Sequence, residues 1–170
     1  MNGADREVMS ERISVLFVCL GNICRSPLAE GVFRKLVQQA GLEARFHIDS
    51  AGTSGYHDGE TADARTITVA QRRGVIVDSI SRKVTDRDVL RFDYIMAMDS
   101  DNSRKLQRIA ERVQREVPIH RLRQFDPLSN GDLDVPDPWY GGESGFERVQ
   151  DIIERSCAAL LSHLRQTHGL

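Results

Sequence analysis

Cysteine is scarce in this chain and falls into no scaffold spacing. Three residues, Cys19, Cys24 and Cys157, cannot pair off completely, so no disulfide framework is expected and the usage fits a reducing compartment, the cytoplasm. A charge excess is also missing. Lys and Arg number 23 against 25 Asp and Glu, which leaves a net charge of −2 and no electrostatic footprint for nucleic acid. The arginines Arg72, Arg73, Arg104, Arg108, Arg112 and Arg115 are interleaved with acids and read as solvated helix faces. No apolar run approaches the roughly 20 residues of a membrane span, so no membrane partner is expected. Residues 1–12 are polar, lack the apolar stretch of a signal peptide and read as a loose tail before one domain over 13–170. The histidines His47, His57, His120, His163 and His168 form no metal spacing with Cys19 and Cys24, so no metal site is expected. Repeats, linkers and low-complexity stretches are absent.

What is present is an alternation of periods. Strand-like runs occupy residues 13–18, 46–49 and 94–98, with a shorter one at 117–120. Between them, Ala29, Val32, Phe33, Leu36, Val37 and Ala40 recur at helical spacing before Gly41. A fainter helix spans 60–73 before Gly74. Asp99 or Ser100 is placed to cap a helix carrying Leu106, Ile109, Ala110 and Val113. The pattern Ser144-x-x-Glu147 reads as a capping box opening a last helix, whose inner face includes Phe146, Ile153, Cys157 and Leu164. Cys157 is therefore expected in the core. Strands alternating with helices predict an α/β domain, a parallel sheet covered on both faces, with ligands bound at the carboxyl ends of the strands.

The first strand runs into Cys19-Leu20-Gly21-Asn22-Ile23-Cys24-Arg25, followed by Ser26-Pro27. Ser is a good N-cap and Pro suits the first helical position, so the loop is expected to end on a helix N-terminus. Free N–H groups and the positive dipole end make such a terminus an anion site. Gly21 is expected to let the backbone turn tightly inward. A cysteine at the loop's mouth lies in a field that favours the thiolate. Arg25 can grip two phosphate oxygens with its planar fork. Free cysteines are most often small buried hydrophobes, and for Cys24 that reading and a chemical one both stand.

Cleavage of a phosphate ester by a thiolate needs an acid for the leaving oxygen. Asp137 is the leading candidate, because Pro136 and Pro138 hold it in a defined pose and Gly141-Gly142 lets the segment turn. Trp139 and Tyr140 beside it, and Tyr56 in the loop after the second strand, read as pocket walls. Asp99 is the second candidate acid, with a sufficient explanation as a helix cap.

The run from Val15 to Pro27 resembles the phosphate-binding loop of the low-molecular-weight protein tyrosine phosphatases. Ser50-Ala51-Gly52-Thr53-Ser54 and Asp137-Pro138-Trp139-Tyr140-Gly141 match two further motifs of that family in order. The resemblance covers residues 13–164. It implies a four-stranded parallel sheet of flavodoxin-like form, Cys19 as nucleophile, Arg25 as phosphate-gripping arginine and Asp137 as general acid. It also implies phosphate contacts from Leu20, Gly21, Asn22, Ile23, Cys24 and Ser26, with Ser26 stabilising the thiolate and Asn22 bracing the loop. Tyr56, Trp139 and Tyr140 fall at its pocket-wall positions. Cys24 matches a second cysteine that can form a reversible disulfide with the nucleophile. No cofactor is implied. The implied partners are tyrosine-phosphorylated proteins, with inorganic phosphate as product and inhibitor, and the implied state is a monomer with weak self-association.

Two departures stand out. Ser79 occupies the position where the family often has a histidine bracing the asparagine, and Trp139 stands where tyrosine is frequent. Related arsenate reductases relay oxidation through a further mid-chain cysteine, which is missing between Cys24 and Cys157. Related arginine phosphatases tend to carry threonine where this chain has Ile23, and an apolar Ile suits an aromatic ring better than a guanidinium. A non-catalytic phosphotyrosine-binding module is the remaining alternative, disfavoured by the joint presence of Cys19 and Asp137.

Overall fold

A computed structural model describes residues 12–170. The tail expected over residues 1–12 lies outside this set apart from Arg12. In chain order the elements are β1 (Ile13–Cys19), α1 (Arg25–Gln39), β2 (Phe46–Gly52), α2 (Ala64–Arg72), α3 (Asp86–Arg91), β3 (Tyr94–Ala97), α4 (Ser100–Arg112), β4 (Ile119–Arg121) and α5 (Glu143–His168). Short 3-10 turns at Glu43–Arg45, Leu122–Phe125 and Pro138–Tyr140 join them. The four strands form one parallel sheet in the order β2-β1-β3-β4. The domain is thus α/β, as the alternating pattern predicts.

β1 is central because it is apolar on both faces. Val15, Phe17 and Cys19 point into a core shared with α1 and α5, while Leu16 and Val18 point into a second core with α3 and α4. In the first core Phe17 and Phe33, and Phe33 and Phe46, sit with ring centroids 5.6 Å apart. Burying each such side chain contributes about 1.5–3 kcal/mol. Cys157 is fully buried there, as expected. The chain leaves β1 toward one sheet edge through β2 and toward the other through β3. The carboxyl end of β1 is therefore the topological switch point, where an open α/β sheet leaves a crevice.

Several expectations need correction. The helix after the first loop begins at Arg25, with Cys24 at the cap position and no side-chain cap. Ser26 lies inside the first turn, because its hydroxyl has partners beneath the loop. The expected capping box at Ser144 and Glu147 is absent: Gly142 stands at the cap position without a side-chain bond, and Glu147 instead accepts from Arg73, just past the end of α2, at 2.6 Å. α2 starts at Ala64, capped by Asp63, because Thr61 bridges to Ile80 rather than joining the helix. β4 starts after Pro118, which has no N–H for the ladder and only accepts from Ile95. α3 has no counterpart among the expected helices. Its capping box, Thr85 with Asp88, is legible, but six residues are too few to show a helical period. Arg73 and Arg115 are more than solvated faces: Arg73 reaches Glu147, Asp151 and Glu154 of α5, and Arg115 donates to the carbonyls of Val89 and Phe92.

Candidate active site

The loop from Cys19 to Arg25 turns through Asn22, whose φ is +55°. Asn tolerates this left-handed conformation better than most residues. The expectation that Gly21 makes the turn is therefore replaced. What Gly21 supplies is room, since a Cβ there would sit 3.0 Å from Cδ2 of His57. Gly52 at the end of β2 is more constrained, because a Cβ would meet the Leu20 carbonyl oxygen at 2.7 Å and that of Ser54 at 3.0 Å.

The loop's carbonyls face away from the crevice. Cys19 O accepts from Thr53 N, Leu20 O from Ser54 N, and Ile23 O from Asp63 N, while Gly21 O accepts from the Ser81 hydroxyl. The N–H groups of Gly21, Ile23, Cys24 and Arg25 have no acceptor among the described residues. With the carbonyls turned outward, these donors sit at the N-terminus of α1, an arrangement that receives an anion.

Asn22 is buried and braces the loop from behind. Its Nδ2 donates to Ser26 Oγ at 2.8 Å and to Ser50 Oγ at 3.0 Å, and its Oδ1 accepts from Arg82 N at 3.1 Å. Ser50 in turn donates to Glu30, which Arg34 holds from the other side. Burial of Glu30 pushes its carboxyl up, against the pull of Arg34. Because Ser26 Oγ accepts from Asn22, its own hydrogen can point at Cys19 Sγ, 3.0 Å away. Asn22 N donates to the same sulfur at 3.2 Å. Ser79 takes no part; its buried hydroxyl has no partner among the described residues.

Arg25 is buried. Its Nη1 donates to Asp99 Oδ2 at 2.7 Å and to the Val135 carbonyl at 3.0 Å, and Nη2 lies 3.8 Å from Asp137 Oδ2. The other oxygen of Asp99 accepts from Asn102 N at the start of α4. With both oxygens engaged, Asp99 is a clamp on Arg25 and is badly placed to donate a proton. Asp137 is 41% exposed; among the described residues its one hydrogen bond is from Trp139 N to Oδ1 at 3.0 Å, and Oδ2 faces Arg25 across the crevice.

These groups line a cavity of about 400 Å³ whose walls include Cys19, Leu20, Gly21, Ile23, Cys24 and Arg25 on the loop, Ser54, Tyr56 and His57 after β2, and Asp137 and Trp139 opposite. Asn22 and Ser26 lie beneath the loop rather than on the wall. Tyr56 is 85% exposed at the rim. The Tyr140 side chain is outside the described set. Cys24 packs with Ile23, Val69 and Phe146, and burial pushes its thiol up to about 12.

Sequence reading misses three contributors. His57 was read only for metal spacing, yet its ring covers Gly21, with Nδ1 2.6 Å from Glu60. Asp99 was read as a cap and an acid, not as the partner of Arg25. The Ser50–Glu30 pair gives no signal, because it joins elements distant in sequence. No cluster of His, Cys, Asp or Glu fit to hold a metal occurs among the described residues.

The family described as low molecular weight phosphotyrosine protein phosphatase matches residues 14–169. A low molecular weight protein-tyrosine-phosphatase of Streptomyces coelicolor is 44% identical over 153 residues, covering 89% of this chain and 93% of that protein. The crystal structure of a protein tyrosine phosphatase from Entamoeba histolytica, with Hepes in its active site, superposes with a TM-score of 0.85 at 45% identity, covering 92% of this chain and 99% of that one. A Drosophila arginine phosphatase structure superposes with a TM-score of 0.84 at 31% identity, covering 89% and 97%.

Proposed function

Since the chain belongs to the low-molecular-weight phosphotyrosine protein phosphatase family, we propose that its phosphatase chemistry runs through Cys19, Arg25 and Asp137. The chain is a protein-tyrosine phosphatase, a hydrolase acting on phosphoproteins. One observation carries the assignment of roles: a sulfur, a buried guanidinium and a half-exposed carboxylate converge on one cavity at the carboxyl end of β1.

In the first step the Cys19 thiolate attacks phosphorus in line with the leaving oxygen. Arg25 and the loop N–H groups of Gly21, Ile23, Cys24 and Arg25 hold the equatorial oxygens, with Leu20 at the rim. Asp137 protonates the departing tyrosine oxygen. The resulting cysteinyl phosphate is hydrolysed by a water that Asp137 activates as base. Ser26 and Asn22 act from beneath, one donating to the thiolate and the other fixing the loop. Arg25 and the helix terminus supply the positive charge, so the chemistry calls on no metal or cofactor.

Tyrosine-phosphorylated proteins are the substrates on this reading, and inorganic phosphate, as product, inhibits by occupying the same cradle. Ile23 and the walls Tyr56 and Trp139 suit a flat aromatic group. The domain is residues 13–170, acting in the cytoplasm as a monomer that self-associates weakly. No described helix is long and apolar enough to cross a membrane.

The test is a phosphopeptide panel assayed with EDTA present. Phosphotyrosine peptides are expected to turn over and phosphoarginine peptides to lag. A preference for phosphoarginine would transfer the chain to the chemistry named for its Drosophila neighbour, and loss of activity on chelation, restored by a metal, would overturn the mechanism.

A further inference from the structure

The segment carrying Asp137 is thinly held. Val135 is anchored, through its N–H to Met98 O and its carbonyl to Arg25, but among the described residues Asp137 accepts a hydrogen bond only from Trp139 N within its own turn and otherwise faces Arg25 Nη2 as an ion pair at 3.8 Å. Besides that ion pair and the buried Pro138, the turn meets the rest of the domain through Trp139, whose ring lies 6.2 Å from the His57 ring and faces Arg65 of α2. The Arg65 guanidinium carbon lies over the Trp139 ring at 5.3 Å and over the Phe146 ring of α5 at 4.6 Å. The guanidinium is itself oriented by a two-pronged pairing with Asp63, at 3.1 Å from Nε and 3.0 Å from Nη2. Asp63 is tied to the phosphate loop, since its N–H donates to Ile23 O at 2.8 Å. A continuous path therefore runs from the loop through Asp63 and Arg65 to Trp139 and Asp137.

We propose that Arg65 is a positioning residue for the Asp137 carboxyl group, registering the acid-bearing turn against the phosphate loop through the face of Trp139. The proposal rests on the reading of Asp137 as general acid. Arg65 touches no reacting atom; it lines no wall of the cavity. A planar fork is what the geometry requires, because one guanidinium must meet Asp63 edge-on and two rings face-on. Lysine offers the charge without the plane.

The experiment compares kcat/KM, which reports the step that expels the leaving group, for wild type, Arg65→Met, Asp137→Asn and the double variant on substituted phenyl phosphates. Asp137→Asn is expected to slow phenyl phosphate far more than a nitrophenyl ester, whose leaving group departs readily as an anion. Arg65→Met is expected to show the same pattern at smaller scale, a loss of roughly 3–30-fold on phenyl phosphate, the range that one cation–π contact commands. The nitrophenyl ester should change about twofold or less, within the spread of a mutation that touches no reacting group. In the double variant Arg65→Met should add nothing to Asp137→Asn, and Arg65→Lys should fall between wild type and Arg65→Met. An equal loss by Arg65→Met across the series, or a further loss on the Asp137→Asn background, overturns the proposal while the reading of Asp137 stands. If Asp137→Asn itself loses equally across the series, that reading falls and the role of Arg65 falls with it. Arg65 is half-exposed, so its variants are expected to fold, and Arg65→Lys keeps the test decisive should Arg65→Met prove unstable.

Discussion

At the scale of single residues, the two cysteines of the loop are separated by environment. Cys19 faces the Ser26 hydroxyl and the Asn22 N–H, whereas Cys24 turns into an apolar cluster where burial pushes its thiol to about 12, with the negative charge around Asp63, Cys19 and Asp137 adding to the effect. At pH 7 burial therefore keeps Cys24 a neutral thiol. Alkylation with iodoacetamide at pH 7, followed by peptide mapping, is expected to label Cys19 alone, with inorganic phosphate protecting it. Labelling of Cys24 at a comparable rate would contradict the assignment. The same separation bears on oxidation. Peroxide is expected to take Cys19 to a sulfenic acid and attack by the Cys24 sulfur, with loss of water, to close a disulfide that thiol reductant reopens, which peptide mapping with and without reductant checks. That closure is expected to quicken as pH rises. The gathering of Cys19, Arg25 and Asp137 around one cavity is legible because they sit in local motifs. The Asp99–Arg25 and Ser50–Glu30 contacts are not, since the partners lie tens of residues apart and no spacing encodes them.

At the scale of elements, the site is a joint: a strand doubly buried, a loop with its carbonyls turned outward, and a helix whose first turn is left uncapped. The missing side-chain cap, unexpected from Ser26, follows from the joint's purpose. A hydroxyl engaged beneath the loop leaves the terminal N–H groups for an anion. The flanking β2 segment holds the loop from outside, and Gly52 is where backbone meets backbone. Gly52→Ala is expected to destabilise the fold and to cut activity more than stability, because the added methyl pushes on the carbonyls of Leu20 and Ser54, neither of which can yield without moving the loop. Thermal unfolding and kcat/KM measured together check this; wild-type activity in a stable Gly52→Ala variant would contradict it. The order of strands and helices was readable from period and composition. Their ends were not, because cap residues such as Glu147 are drawn away by tertiary partners, and α3 is shorter than the pattern it would need to show.

At the scale of the whole molecule, α5 closes the first core and is pinned to the loop after β4 by Arg155. Its guanidinium donates to both oxygens of the buried Asp126, at 2.9 and 3.1 Å, and Leu128 N donates to one of them. Burial alone would raise the Asp126 carboxyl, but these hydrogen bonds and the Arg155 charge outweigh it and hold the group below the usual carboxylate range. A depressed folded-state value means the stabilisation is complete above the unfolded value of about 3.9 and is lost as pH falls through the folded one. Asp126→Asn is therefore expected to cost roughly 1.5–3 kcal/mol at pH 7, the range of hydrogen bonds to a charged group, with the gap from wild type narrowing below about pH 4. Denaturant titrations at pH 7 and pH 3 check it, and a gap independent of pH would contradict it. The central claim concerns the molecule as an enzyme: phosphate passes through Cys19. Rapid acid quench of the enzyme turning over an aryl phosphate, followed by mass spectrometry with fragmentation of the peptide that holds both loop cysteines, measures this directly. The account predicts a phosphate mass on the Cys19 sulfur, rising before steady state and missing in Cys19→Ser. Phosphate on Cys24 or elsewhere, or steady turnover by Cys19→Ser, would contradict it.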